Sequence, residues 1–307
     1  MNFKLKMIPV ACVLVGLLSC KKEPERMLHF IVKIDPLQEK LGNNGLPTSL
    51  KTDLAAQTPA INSIGFDGVE LVQNEFTKYG QGLSVFSTPE TTTGGEKAID
   101  YQQVRSIKAG ETLISIPLKN ITPGSYNWIR TSVTHQNFDV VFNMLNVPFA
   151  GNFLDERGTL ASFTASNNYI TTYKIWDKTD SVKANKKQGY WCFETKLSPA
   201  YKPYNRMFNG QSATGTITSP NPLLQTAPTP LNHTILTGRF ETPLSISGSE
   251  TADVTVTLTF SNNKSFEWEE TINRNGKWDF NLQPVSGQPS VERVMDLGLR
   301  SLKASFK

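Results

Sequence analysis

The strongest pattern in the chain is a two-residue alternation near its C-terminal end. Over residues 253–260, Val254, Val256, Leu258 and Phe260 alternate with Thr255, Thr257 and Thr259. Successive side chains of a strand point to opposite faces, so this alternation predicts a half-buried strand. Ser261-Asn262-Asn263-Lys264 follows as a turn cluster, and residues 265–271 alternate Phe266 and Trp268 with Glu267 and Glu269. Asn275-Gly276 is a hairpin signal, because both residues tolerate positive φ. Residues 277–282 then set Trp278, Phe280 and Leu282 on one face. Together they predict a three-stranded antiparallel meander.

Looser patterns of the same kind predict strands over residues 28–34, 64–72, 82–87, 112–118, 126–134, 138–145, 159–165, 169–176 and 188–195, with a turn at Pro123-Gly124. Short strands punctuated by Gly, Pro, Asn and Ser point to β-sandwiches. Helix candidates are residues 36–41 and 290–302. In the second, Ser290 is a possible N-cap and Val291, Val294 and Met295 have helical spacing, but Gly298 weakens it and a final strand competes. The expected fold is all-β: antiparallel β-sandwiches, two immunoglobulin-like or jelly-roll-like modules, and little helix. The first module is expected over residues 28–147 and the second over 148–307. The second holds a Pro/Ser/Thr-rich stretch at 201–232 with Pro203, Pro220, Pro222, Pro228 and Pro230. So long a loop is either a linker or a functional loop packed on the surface.

The N-terminus breaks this pattern. Lys4 and Lys6 precede an uncharged, mostly apolar run over residues 7–18, and Leu17-Leu18-Ser19 leads into Cys20. Residues 1–19 read as a secretory signal, too short to span a bilayer. The Leu-Leu-Ser-Cys end resembles the lipobox of bacterial lipoproteins, which implies cleavage before Cys20 and acylation of that cysteine. Acyl chains anchor because each buried methylene contributes about 0.8 kcal/mol. Residues 20–27, charged and Pro-containing, read as a solvated tether. Cys20, Lys22 and Glu23 also resemble the Cys-x-Lys-Asp/Glu export signal of Bacteroidetes surface lipoproteins. That resemblance implies an outer-membrane anchor facing the cell exterior, with the periplasmic face as the alternative.

Composition narrows the function. The formal net charge is +4, and +2 without Lys4 and Lys6, which gives no basis for nucleic-acid binding. Lys183, Lys186 and Lys187 read as a solvated loop. Cys12 leaves with the signal and Cys20 carries lipid, so Cys192 has no disulfide partner. Set among Tyr190, Trp191 and Phe193, it reads as a buried, inert thiol.

Several stretches resemble a group of Bacteroidetes lipoproteins without an assigned activity. They are Pro123-Gly124-Ser125-Tyr126, residues 136–140, 189–195 and 264–268, and the ending Met295-Asp296-Leu297-Gly298-Leu299-Arg300. The likeness implies an envelope location and β content and transfers no site residues. Asp180-Ser181-Val182 resembles the Bacteroidetes O-glycosylation sequon, which implies a glycan on Ser181.

Signatures of chemistry are sparse. His29, His135 and His233 lack metal-ligand spacing, and His135 reads as a strand-end polar residue. No nucleophile elbow or phosphate loop is present. Asp155-Glu156 and Glu269-Glu270 are adjacent carboxylates that point to opposite strand faces, so neither pair forms a glycosidase dyad, and each reads as solvated. No catalytic residue, metal or cofactor is assigned. The aromatic residues remain: Trp268 and Trp278 read as core, while Tyr201 and Tyr204, in the long loop, are the candidate ligand-stacking rings. The expected function is non-catalytic: a lipid-anchored envelope protein that binds a glycan or another envelope protein. The alternative is a lipid-anchored hydrolase of extracellular polysaccharide, which requires carboxylates or a histidine converging in a cleft.

Overall fold

A computed structural model describes residues 25–213, 215–231 and 233–307. Among these the fold is all-β, with twenty strands, three short 3-10 turns and no α-helix. The calls on Cys20, Lys22 and Glu23 lie outside the described residues.

One strand organises the molecule. Residues 126–134 and 138–145, expected as two strands, belong to the single strand Gly124–Val147. The polar residues between them, His135, Gln136 and Asn137, do not end it, because they are buried and paired within the sheet. Ala60–Val72, Gly151–Phe163 and Ile235–Ile246 all pair with it antiparallel. Its first half sends Tyr126, Ile129 and Val133 into one core; its second half sends Phe138, Val140, Phe142 and Met144 into another. Fully burying an aliphatic or aromatic side chain contributes about 1.5–3 kcal/mol.

Met27–Asp35 places Leu28, Phe30 and Val32 in the first core. It pairs in parallel with Val254–Ser261, matching Phe30 to Val256 and Val32 to Leu258. Sheet pairing therefore crosses the expected 147/148 boundary, and both cores draw on residues from each side of it.

The alternation over residues 253–282 does produce three strands, Val254–Ser261, Phe266–Glu269 and Trp278–Asn281, but they do not form a meander. Phe266–Glu269 pairs with Leu54–Gln57 and Val294–Asp296, and Trp278–Asn281 runs parallel to the end of the long strand. The reason is burial on both faces. Glu267 is buried and bonded to Lys40 at 2.5 Å and Arg300 at 2.5 Å, and Asp279 is buried beneath Asn143. A half-solvated meander cannot supply those partners. The helix expected over 290–302 is likewise replaced, by Val294–Asp296 and Ser301–Phe306.

The 201–232 stretch is a packed loop. Met207–Gln211 adds a strand beside Tyr190–Lys196, and Ile217, Leu223 and Ala227 are buried. The Ser219 hydroxyl donates to the Ile235 carbonyl at 2.8 Å. Lys183, Lys186 and Lys187 lie on the strand Thr179–Lys187 rather than in a loop, with Lys187 paired to Glu96 at 2.5 Å. Cys192 is buried and free, and burial pushes its thiol up from the ordinary value.

Candidate functional site

The deepest chemistry lies beside the long strand, on Ala60–Val72. Glu70 stands opposite Arg130 in the ladder. The two are buried and paired at 3.2 Å, and Arg130 also donates to the Thr77 carbonyl at 2.6 Å. The second Glu70 oxygen accepts from the Gly82 amide. A Cβ at Gly82 would lie 2.6 Å from the Leu71 carbonyl oxygen, so only glycine allows this approach. These bonds fasten the loop over residues 73–82 onto the strands and set Tyr79 at the edge of a cleft.

Asp67 lies where the ladder slips. Phe66 faces Val133 and Gly68 faces Ser132, leaving Asp67 as the extra residue of a β-bulge. A bulge re-aims its side chain, and Asp67 lines a cleft of about 530 Å³ with Tyr79, Phe86, Glu90, Ser132 and His233. Asp67 is 8 % exposed, and its Oδ1 is buried without a hydrogen-bond partner. Burial raises its carboxyl above the ordinary aspartate value; the nearby Ser132 hydroxyl and His233 oppose the rise. Tyr79 is pushed up to about 12, first by burial and then by the charge of Asp67. Its ring lies 6.4 Å from that of His233, tilted by 46°.

A buried acceptor without a partner is costly to leave unmatched. Asp67 itself lines space large enough for a ligand, together with a phenol, a hydroxyl and an imidazole. That set offers acceptors and donors to a hydroxyl-rich molecule and a flat ring for it to lie against. Of the other cleft carboxylates, Glu70 is committed to Arg130 and Gly82 in the interior, and Glu90 pairs with Lys97 at 2.5 Å on the surface. Among the described residues no three His, Cys, Asp or Glu side chains cluster as metal ligands do.

The residues singled out from the sequence lie elsewhere. Tyr201 is 36 % exposed, but one face of its ring stacks on Phe153 at 4.0 Å. Tyr204 packs edge-on against the same phenylalanine at 5.3 Å. Both touch Phe153, and neither lines the Asp67 cleft. Ser181 is exposed on Thr179–Lys187. His135 is not at a strand end: it is buried mid-strand between Tyr101 and Phe163. Glu156 is not solvated either; it accepts from the Ser198 amide at 2.7 Å and hydroxyl at 2.9 Å.

Sequence reasoning missed Asp67 and Tyr79. The available signal was Gly65-Phe66-Asp67-Gly68, a carboxylate bracketed by glycines inside an apolar run. Glycine within a strand marks a bulge or a close backbone approach. No family model, curated protein or solved structure matches this chain.

Proposed function

We propose that this chain is a non-catalytic, lipid-anchored protein of the outer membrane, facing the cell exterior, that captures a glycan in the Asp67 cleft. The single observation that carries the binding reading is the buried, unpartnered carboxylate oxygen of Asp67 at the wall of an open cleft edged by Tyr79 and His233. Sugar hydroxyls are the donors such an acceptor lacks. The placement in the envelope rests on the Leu-Leu-Ser-Cys end of the signal and on Lys22 and Glu23.

Hydrolysis is the second reading, favoured by the raised carboxyl of Asp67 beside Tyr79 and His233. A glycosidase takes two working carboxyl groups about 5–9 Å apart. Glu70 is held by Arg130 in the interior and Glu90 pairs with Lys97 at the exposed rim, which favours binding over a carboxyl pair poised across the cleft.

The test is a glycan-array screen followed by calorimetry on the best neutral oligosaccharide. Asp67→Asn removes the charge and turns one of the two carboxylate acceptors into a donor, and is expected to weaken binding at least tenfold, about 1.4 kcal/mol. The variant keeps its thermal stability or gains some, because burial already penalises the charge. Unchanged affinity in Asp67→Asn would reject the cleft as the site. Product release from a polysaccharide, lost in the same variant, would replace capture with hydrolysis.

A further inference from the structure

A second groove lies apart from the Asp67 cleft and has the opposite electrostatic character. It is about 430 Å³ in volume, open to solvent, and lined by Asn62, Lys108, Thr159, Lys174, Trp176 and Lys196, among others. Trp176 is 37 % exposed, level with Tyr79; among the described residues only Phe76, Phe149 and Phe306 are more exposed aromatic residues. The Lys196 ammonium sits 4.9 Å from its ring centroid.

The ring is held out by design of the backbone beneath it. The amides of Trp176, Asp177 and Lys178 all donate to one oxygen of Glu194, at 3.0, 3.1 and 3.1 Å. Glu194 itself is buried. A buried carboxylate spent on three successive amides fixes this turn before any ligand arrives, and preorganisation of that kind lowers the cost of binding. The other edge is fixed as well. The Asn137 amide donates to the Ile175 carbonyl at 2.8 Å. Asp139 accepts from Asn62 at 2.9 Å, Thr159 at 2.7 Å and Lys196 at 2.8 Å.

The charges do not cancel. Asp139 answers Lys196, and these contacts hold its carboxyl below the ordinary aspartate value despite its burial. Among the described residues, the Lys108 and Lys174 ammonium groups line the groove without a salt bridge, although Glu111 accepts from the Lys108 backbone amide at 2.8 Å. A flat indole beside unanswered ammonium groups matches a pyranose ring that carries a carboxylate: the ring stacks, and the anion takes charge-assisted hydrogen bonds.

We infer that the Trp176 groove is a binding site for acidic saccharides, with the indole as platform and Lys108 and Lys174 as anion partners. It is independent of the Asp67 cleft, and the test is arranged to keep the two apart. Calorimetry is run on the full mature chain carrying Asp67→Asn, with oligogalacturonates and oligoguluronates as probes and maltotriose as the neutral control. The uronates are expected to bind, and maltotriose at least tenfold more weakly. Trp176→Ala is expected to weaken uronate binding about tenfold, and Lys174→Ala about fivefold. Both side chains are exposed, so both variants fold. Raising the salt from about 0.05 M to about 0.5 M weakens the parent's binding, because exposed charges are screened. No uronate binding, equal binding of maltotriose, or unchanged affinity in Trp176→Ala would each overturn the assignment.

Discussion

His135 illustrates how one residue escapes its local pattern. The ring is 2 % exposed, 5.1 Å from Tyr101 and 4.8 Å from Phe163, and its Nδ1 has no partner. Burial pulls its pKa from 6.5 down to about 4. In the unfolded chain the ring takes up a proton near 6.5; in the folded chain it does so only near 4. Between those values the unfolded state binds more protons, so stability falls as pH falls through the window. The full effect is about 3 kcal/mol. His135→Phe keeps a ring in the slot and removes the titration. Urea midpoints at pH 7 and about 4.5 are expected to lie closer together in the variant than in the parent, and an equal spread would show that His135 is not the coupled group. The sequence placed His135 at a strand end because a His-Gln-Asn run looks like solvent. Its burial follows from Gly65, where a Cβ would meet the His135 Cβ at 2.9 Å. That cross-strand fit involves residues seventy positions apart and leaves no trace in either segment alone.

At the scale of elements, alternation told which residues share a face and said little about which strand lies alongside. Val254–Ser261 forms as its pattern requires, yet its neighbours are the first strand and the last. The chain bends at Asn275-Gly276, with Gly276 at φ +71°, but closes no hydrogen-bonded hairpin turn there. The residues around it are tied to side chains rather than to a hairpin ladder: Asn273 and Asn275 both donate to Asp279 at 3.0 Å. Gly298 is the sharper lesson. From the sequence it weakens a helix; in the fold it lets the Thr218 carbonyl approach, 2.3 Å from where a Cβ would stand. The same contact docks the 201–232 loop, because the Thr218 amide donates to Asp296 at 3.0 Å. Gly298→Ala must push two backbones apart, an overpacking cost of about 1–3 kcal/mol. The expected result is a lower melting temperature with the loop near Ile217 opened to proteolysis. A variant as stable and as resistant as the parent would mean that the loop is not docked through this contact.

The whole molecule is where the sequence was least legible, because its two cores are not consecutive in the chain. The first core joins Leu28, Phe30 and Val32 to Leu236, Val256 and Leu302; the second joins Phe142 and Met144 to Phe193, Trp268 and Trp278. Lys40 reaches Glu267, and Arg300 reaches both Glu267 at 2.5 Å and Asp296 at 2.8 Å, fastening the segment around residue 40 to the last fifty residues. A cut between residues 147 and 148 therefore divides each core instead of separating two. Residues 148–307 alone would expose the edges of Gly151–Phe163 and Ile235–Ile246 that the long strand covers, and unpaired edges of that length template aggregation. They would also take Lys40 away from Glu267, leaving Arg300 as its one buried cation. The intact mature chain is expected to unfold in urea with coincident fluorescence and circular-dichroism transitions. The 148–307 fragment is expected to show no cooperative transition and to bind a hydrophobic dye. A fragment that melts cooperatively, or two separated transitions in the intact chain, would restore the two-module organisation. The physical ground for expecting otherwise is that one twenty-four-residue strand, Gly124–Val147, forms a wall of both cores, so neither can open without exposing the other.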